Sequence, residues 1–302
     1  MKKFVINIIV FFVIIAVVDL SVGVAGDYLQ THAKSGEAKR INDILLDDVH
    51  DVIILGSSRA YHHYDTPFMS DSLGLDIYNA GFNGNGVVFA SGLLEMLLER
   101  YKPRLVVFDV EPKFDINVYP NDDNNMRYIS KLKPYYKNKV AANIIKNISE
   151  SEWYKVHSGM YRYNSNIFPL VMQSWVSSSD KNLRGFSPLD KMFDGSKIEN
   201  ESKYLRDTLK IRYMAKMIRV CQKNDVPLIF IASPKYGQPK SEILQPAKYL
   251  CLKNHIPFFD YYSSPDFYDP NLFNDSGHMN VVGARKFSKL IASKIDSNIK
   301  FH

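Results

Sequence analysis

Cysteine is scarce in this chain, with only Cys221 and Cys251 among 302 residues. No CxxC pair and no Cys/His ligand spacing accompanies them, which excludes a zinc-ribbon site and a thioredoxin-type redox motif. Both lie in segments that read as helical. Two buried thiols are the plain expectation, and a disulfide between them stays open for an oxidising compartment. Also missing is a dense basic block interleaved with aromatics, although 38 basic and 32 acidic residues leave a net charge of +6. Nucleic acid as a partner therefore has no support, while the excess charge suits an anionic membrane surface. The chain has no internal repeat and no coiled-coil heptad pattern. Gly81, Gly84 and Gly86 form a GxxGxG run that lacks the spacing and the acidic partner of a dinucleotide fingerprint, so a Rossmann cofactor is excluded. No metal and no organic cofactor is expected. Asp109 and Glu111 have no histidine near them in sequence and make a poor transition-metal set.

What is present is an ordinary globular composition, 46% apolar and 23% charged, with aromatics at 13%. The aromatic content fits a sugar-facing or membrane-near surface and fits a plain core equally well. One long hydrophobic run stands out. Lys2 and Lys3 precede apolar residues from Phe4 to Val18, broken only by Asn7; Asp19 interrupts, and Leu20 to Ala25 continues the run. At about 22 residues this segment is near the length that spans a bilayer, and the lysines favour a cytoplasmic N-terminus. Residues 1–26 read as an uncleaved anchor. A cleaved signal peptide is the competing reading, since Gly23-Val24-Ala25 has the small-x-small form of a cleavage site.

Residues 27–50 read as a polar, helical stalk. From residue 51 onward strand and helix signals alternate. Strands are expected at Val52 to Leu55, Leu75 to Tyr78, Arg104 to Val110, Val226 to Ala232 and Ile256 to Asp260. Helical spacing covers Val87 to Tyr101, Ile243 to Asn254 and Val281 to Ile295, with a short helix or turn region from Ala60 to Leu73. This alternation predicts an α/β fold, a three-layer α/β/α sandwich with a flavodoxin-like parallel sheet, over residues 51–302. Residues 113–200, including Tyr119-Pro120-Asn121-Asp122-Asp123-Asn124-Asn125, break the pattern and read as an insertion of helices and loops.

Sites in such folds lie beyond the C-terminal ends of the strands. Gly56-Ser57-Ser58-Arg59 directly follows the first strand, and Asp275-Ser276-Gly277-His278 follows the last. A serine hydroxyl is a weak nucleophile until a base takes its proton. Ser58 is the candidate nucleophile, with Ser57 the alternative. His278 is the candidate base and Asp275 the group that orients its ring, the two being near neighbours if they sit at the start of a helix. Arg59 is a candidate contact for an anionic substrate group, with a salt bridge as its plain role. His62 and His63 follow closely enough for one to face the cleft, and His62 is taken as a candidate substrate contact. Asn79 is expected to hold its loop by local hydrogen bonds.

Together these blocks resemble the SGNH/GDSL family of esterases and acyltransferases, over about residues 51–112 and 225–298. The family's Gly-Asp-Ser block is similar to Gly56-Ser57-Ser58, which gives Ser58 the nucleophile's role. Its glycine-bearing second block is similar to Asn79-Ala80-Gly81-Phe82-Asn83-Gly84, which gives Gly84 an oxyanion-hole role. Its Asp-x-x-His block matches Asp275 to His278. The third block departs. Where the family has Gly-x-Asn-Asp, this chain has Asp109-Val110-Glu111-Pro112. Either Asn83 or Asn85 then supplies the missing donor, or the hole relies on the amides of Ser58 and Gly84.

The Gly-Ser-Ser-Arg form is similar to membrane-anchored relatives that modify cell-surface polymers. The resemblance implies a Ser-His-Asp esterase or O-acyltransferase acting on acyl, above all acetyl, esters of an envelope polysaccharide. It would be held by one helix in a bacterial inner membrane, with its domain on the periplasmic side. An acylated glycan or other small ester would be its substrate and envelope-assembly proteins its partners. A catalytically weak accessory or glycan-binding protein is the alternative.

Overall fold

The computed structural model describes residues 1–118, 124–177, 183–196, 205–237 and 241–300. Residues 119–123 of the polar run thus lie outside the described residues. The chain divides into two units, one of residues 1–46 with 129–179, the other of residues 47–128 with 180–302.

In the larger unit, short aliphatic runs form strands buried on both faces: β1 (Val52–Gly56), β2 (Ile77–Gly81) and β3 (Leu105–Asp109). A two-residue antiparallel ladder joins β4 (Asn117–Val118) to β5 (Leu205–Arg206). β6 (Leu228–Ala232) and β7 (Phe258–Asp260) complete the main sheet. Its order is β2-β1-β3-β6-β7 with every pair parallel, the order of a flavodoxin-like doubly wound sheet once the small ladder is set aside. Side chains alternate across it. Val52, Ile54, Ile77, Val107, Ile229 and Ile231 share one buried cluster with Tyr64, Met69, Phe287 and Ile291, which belong to helices Ser58–His63 with its cap, Thr66–Leu73 and Val281–Lys300. The helices Val87–Leu98 and Thr208–Lys223 pack on each other instead and do not join that cluster. The alternating remainder, with Phe108 against Phe230 at 5.3 Å between ring centroids, forms the second face.

The expected elements appear with shifted ends. The region from Ala60 to Leu73 is two helices, because Asp65 accepts from Phe68 N at 3.1 Å and starts the second one. Helix Gln245–Lys253 begins with Pro246 in its first turn, after a short 3-10 turn. Cys221 and Cys251 are both free and buried, and burial pushes each thiol up to about 12.

In the smaller unit the apolar run forms one helix, Lys2–Thr31, long and apolar enough to cross a membrane. Residues 27–46, expected as a stalk, carry this helix to Thr31 and then form a second helix, Gly36–Asn42. Ala33 and Ala38 are buried with Tyr163 and Leu170, against which Val22, Leu29 and Ile167 pack. Part of the 113–200 insertion thus supplies the other half of this unit. Gly23 allows the backbone of Gly159 to come close, since a Cβ on Gly23 would lie 3.3 Å from the Gly159 Cα. Asp19 accepts hydrogen bonds from Ser158 Oγ at 2.5 Å, Gly159 N at 3.1 Å and Met160 N at 2.9 Å. Asp27 accepts from Tyr163 Oη at 2.8 Å and Arg162 Nη2 at 3.1 Å.

Candidate active site

β1, β2 and β3 end in register, with Gly56 opposite both Gly81 and Asp109. The chain turns at once into helix Ser58–His63, whose cap is Ser57. Two glycines make room for that turn. A Cβ on Gly81 would lie 2.5 Å from the Tyr61 nitrogen, and one on Gly56 would lie 2.8 Å from the Asp109 carbonyl oxygen. Ser58 is therefore the first residue of a helix pressed against the sheet edge. Asn79 holds the same helix to β2, its Nδ2 donating to the Ala60 carbonyl at 2.7 Å.

His278 reaches Ser58 from the other end of the unit. Its Nε2 lies 2.9 Å from Ser58 Oγ, and its Nδ1 lies 2.9 Å from Asp275 Oδ1. The carboxylate on Nδ1 calls for a proton there, which leaves Nε2 to accept the serine hydroxyl. Asp275 and His278 do not sit at the start of a helix. They close a tight loop between the bridged residues Phe273 and Met279, and Asn280 caps the helix that follows by accepting from Val282 N and Gly283 N, each at 3.1 Å. The loop explains the three-residue spacing. Asp275 Oδ1 accepts from Gly277 N at 2.8 Å and His278 N at 2.9 Å, so the carboxylate that holds the ring also folds the turn carrying it.

Burial disfavours the charged ring of His278, but its hydrogen bond to Asp275 and the charges of Asp275 and Glu111 outweigh this and raise its pKa above the ordinary value. For Asp275, burial pushes upward and is overcome by the His278 bond and the backbone donors, which hold the carboxylate far below the usual range.

The remaining candidates are distributed unequally. Phe82 to Asn85 form a tight turn after β2, with Asn85 N donating to the Phe82 carbonyl and Gly84 at a positive φ of 70°. The amides of Ser58 and Gly84 take no part in backbone hydrogen bonds among the described residues. Asn83 is paired with His62, whose Nε2 lies 3.2 Å from the Asn83 side-chain oxygen. The other ring nitrogen of His62 donates to the Ser187 carbonyl at 2.7 Å, so both are engaged. Asn85 Nδ2 donates to the Asn83 carbonyl at 3.0 Å, within the turn.

Arg59 departs from the expectation of a substrate-facing cation. It is 2% exposed, stacks over the Tyr262 ring at 5.0 Å and donates from Nη2 to Ser233 Oγ at 3.0 Å. Among the described residues it forms no salt bridge, and its Nε and Nη1 are buried without a hydrogen-bond partner.

Three further residues join the site, and of these sequence reasoning missed Ser233; His63 is the second histidine after Ser58, and Glu111 the carboxylate of the third block. Ser233, immediately past β6, donates to Asp109 Oδ2 at 2.7 Å, and its N–H donates to Asp109 Oδ1 at 2.9 Å. The strand-end rule that flagged Ser58 applies equally to this serine. His63 is fully buried: its Nε2 accepts from Met279 N at 3.0 Å, which puts the proton on Nδ1, 3.0 Å from Ser233 Oγ. Glu111, in the departing third block, accepts the hydroxyl of Ser57. Its own N–H donates to Asp115 Oδ2 at 2.6 Å, and Asp115 also accepts from Val87 N at 2.7 Å. Asp109 and Glu111 are thus each engaged with a serine.

No protein-family model matches the chain, and no curated protein does. Among solved structures it is similar to the acetyl xylan esterase AlAXEase at 12% sequence identity, with a TM-score of 0.40, covering 82% of this chain and 98% of that one.

Proposed function

We propose that the chain is a serine esterase or O-acyltransferase. The observation that carries this reading is the linear relay from Ser58 Oγ through His278 to Asp275, with 2.9 Å on each side of the ring. Ser58 Oγ attacks an acyl carbonyl carbon while His278 Nε2 takes the hydroxyl proton. The resulting oxyanion is received by the amides of Ser58 and Gly84, with the side chains of Asn83 or Asn85 as further donors on rearrangement. Collapse breaks the ester bond, and the leaving alcohol takes the proton back from His278. Water or a second hydroxyl then gives its proton to His278 and attacks the acyl-serine; as the bond to Ser58 Oγ breaks, His278 returns that proton to Oγ and the acid or new ester leaves. Every step uses groups of this chain and needs no cofactor.

The helix Lys2–Thr31 would anchor the protein by a single pass, with the Ser58-bearing unit on the outer side of a bacterial inner membrane. Acyl, above all acetyl, esters of envelope polysaccharide are the proposed substrates, with envelope-assembly proteins as partners. Labelling of the full-length protein in detergent by a fluorophosphonate, mapped by mass spectrometry to Ser58 and absent from Ser58→Ala, is the expected result. Labelling elsewhere would sink the assignment.

One observation favours a second reading, a catalytically weak accessory or glycan-binding protein. Glu111, a carboxylate, occupies the third block and takes a serine hydroxyl, where an amide donor would assist an oxyanion. Loss of one such donor costs about 100- to 1,000-fold in rate. Saturable glycan binding that Ser58→Ala leaves unchanged, with no acyl-enzyme, would select this reading.

A further inference from the structure

The segment from Ile167 to Val176 contains no charged residue, and its helix, Ile167–Trp175, turns two different faces outward and inward. Leu170 is buried and Ile167 half-buried against the cluster that includes Leu29 and Ala33. On the opposite face Phe168, Met172 and Trp175, spaced at i, i+4 and i+7, are exposed by 80%, 62% and 79%. An apolar stripe of this kind has no reason to face water on a soluble surface.

The helix it packs against identifies what covers it. Lys2–Thr31 is about 45 Å long, longer than the roughly 30 Å of a hydrocarbon core. Beyond Asp19 its outward side carries Leu20, Val24 and Tyr28, all exposed, and Ser21, whose Oγ donates to the Val17 carbonyl at 2.7 Å. Its inward side over the same turns is polar and satisfied by protein: Asp19 by Ser158, Gly159 and Met160, and Asp27 by Arg162 and Tyr163. Polar groups at that level are thus shielded, while the lipid-facing side continues toward the Ile167–Trp175 helix. Lys34 N donates to the Gln173 carbonyl at 2.7 Å, which ties that helix to the chain just past the end of the span. A tryptophan on a short uncharged helix beside the end of a membrane span matches the chemistry of the headgroup boundary, where amphipathic rings concentrate.

We infer that Ile167–Trp175 is an interfacial helix that inserts Phe168, Met172 and Trp175 into the outer edge of the same bilayer that Lys2–Thr31 crosses. The occupant of the exposed stripe is lipid. This rests on the anchor reading of the N-terminal helix and is independent of the chemistry at Ser58. Its effect is to give the smaller unit two attachments to the membrane, which fixes its orientation as a single helix cannot.

The chain has two tryptophans, Trp153 and Trp175, so Trp153→Phe leaves Trp175 as the only one. The full-length variant is reconstituted in phosphatidylcholine vesicles and collected by flotation. Its fluorescence is then quenched with acyl-chain-brominated phosphatidylcholine or with aqueous iodide. Trp175 is expected to be quenched at least about twofold more by the brominated lipid than Trp153 in Trp175→Phe. A second reporter on the same face, Phe168→Trp in a chain lacking both natural tryptophans, should behave as Trp175 does. Flotation with both reporters quenched by iodide and not by lipid would overturn the interfacial helix and leave the anchor standing. Failure to float would overturn the anchor and this inference together.

Discussion

His63 Nε2 accepts the backbone N–H of Met279 at 3.0 Å, so the last residue of the helix that begins with Ser58 holds the residue beside His278. The proposed nucleophile and base are thereby tied together by a second contact. Through Nδ1, His63 also reaches Ser233, which joins Arg59 and Asp109. His63→Ala leaves a buried N–H unsatisfied and is expected to cost about 1–3 kcal/mol. The proposed esterase activity should fall with it, through kcat more than KM. Calorimetric unfolding and steady-state kinetics on p-nitrophenyl acetate check both.

Burial, then the charges of Arg59 and His278, hold the His63 pKa well below its ordinary value of 6.5. In the unfolded chain it titrates normally. Below pH 6.5 the unfolded state therefore binds a proton that the native state does not, and stability falls as pH falls. The slope of stability with pH between there and the lower native pKa should be shallower in His63→Ala than in the wild type. Urea titrations at several pH values measure it, and parallel slopes would exclude a buried neutral ring.

Ser58→Ala is expected to lower esterase activity by at least about 10³-fold with the unfolding transition unchanged. Rate measurements on the purified variant, paired with a melting curve, separate loss of chemistry from loss of fold. Retained activity would move the nucleophile elsewhere.

His278 must be neutral at Nε2 to accept the Ser58 proton. Its raised pKa therefore places the acid limb of the pH–rate profile above 6.5. Asp275→Asn removes the charge that favours the imidazolium, so the limb should move to lower pH while the plateau falls. A limb that stays in place would remove Asp275 from its proposed role.

Glu111 also favours the charged form of His278. Glu111→Gln keeps an acceptor for the Ser57 hydroxyl and removes the charge, so the limb should shift in the same direction as for Asp275→Asn, by less. If the carboxylate also disfavours an oxyanion, the plateau rate should rise. A full profile of the variant reads both effects.

The sheet was legible because its strands are buried on both faces and so appear as unbroken aliphatic runs, Val52 to Leu55 being the clearest. Ser58 and the Asp275–His278 pair were legible because the ends of parallel strands and an Asp-x-x-His spacing are local features. What escaped notice is non-local. Nothing near Arg59 in sequence announces that Ser233 and Tyr262 will enclose it, and His63 gains its meaning only from Met279. The start-of-helix placement of Asp275 missed for a related reason. Asn280 competes as the cap and wins, leaving the carboxylate to fold a turn. The stretch 27–46 has the composition of a connector, and its packing partners come from residues 129–179, far along the chain.

That two-part build of the smaller unit governs where the chain can be cut. Truncation at residue 46, which removes the helix Lys2–Thr31, would leave residues 129–179 without half of their fold. Tyr163 and Leu170, now buried, would be bared, and Ser158, Gly159 and Met160 would lose the carboxylate they share. Removing the smaller unit means removing both of its parts, residues 1–46 and 129–179.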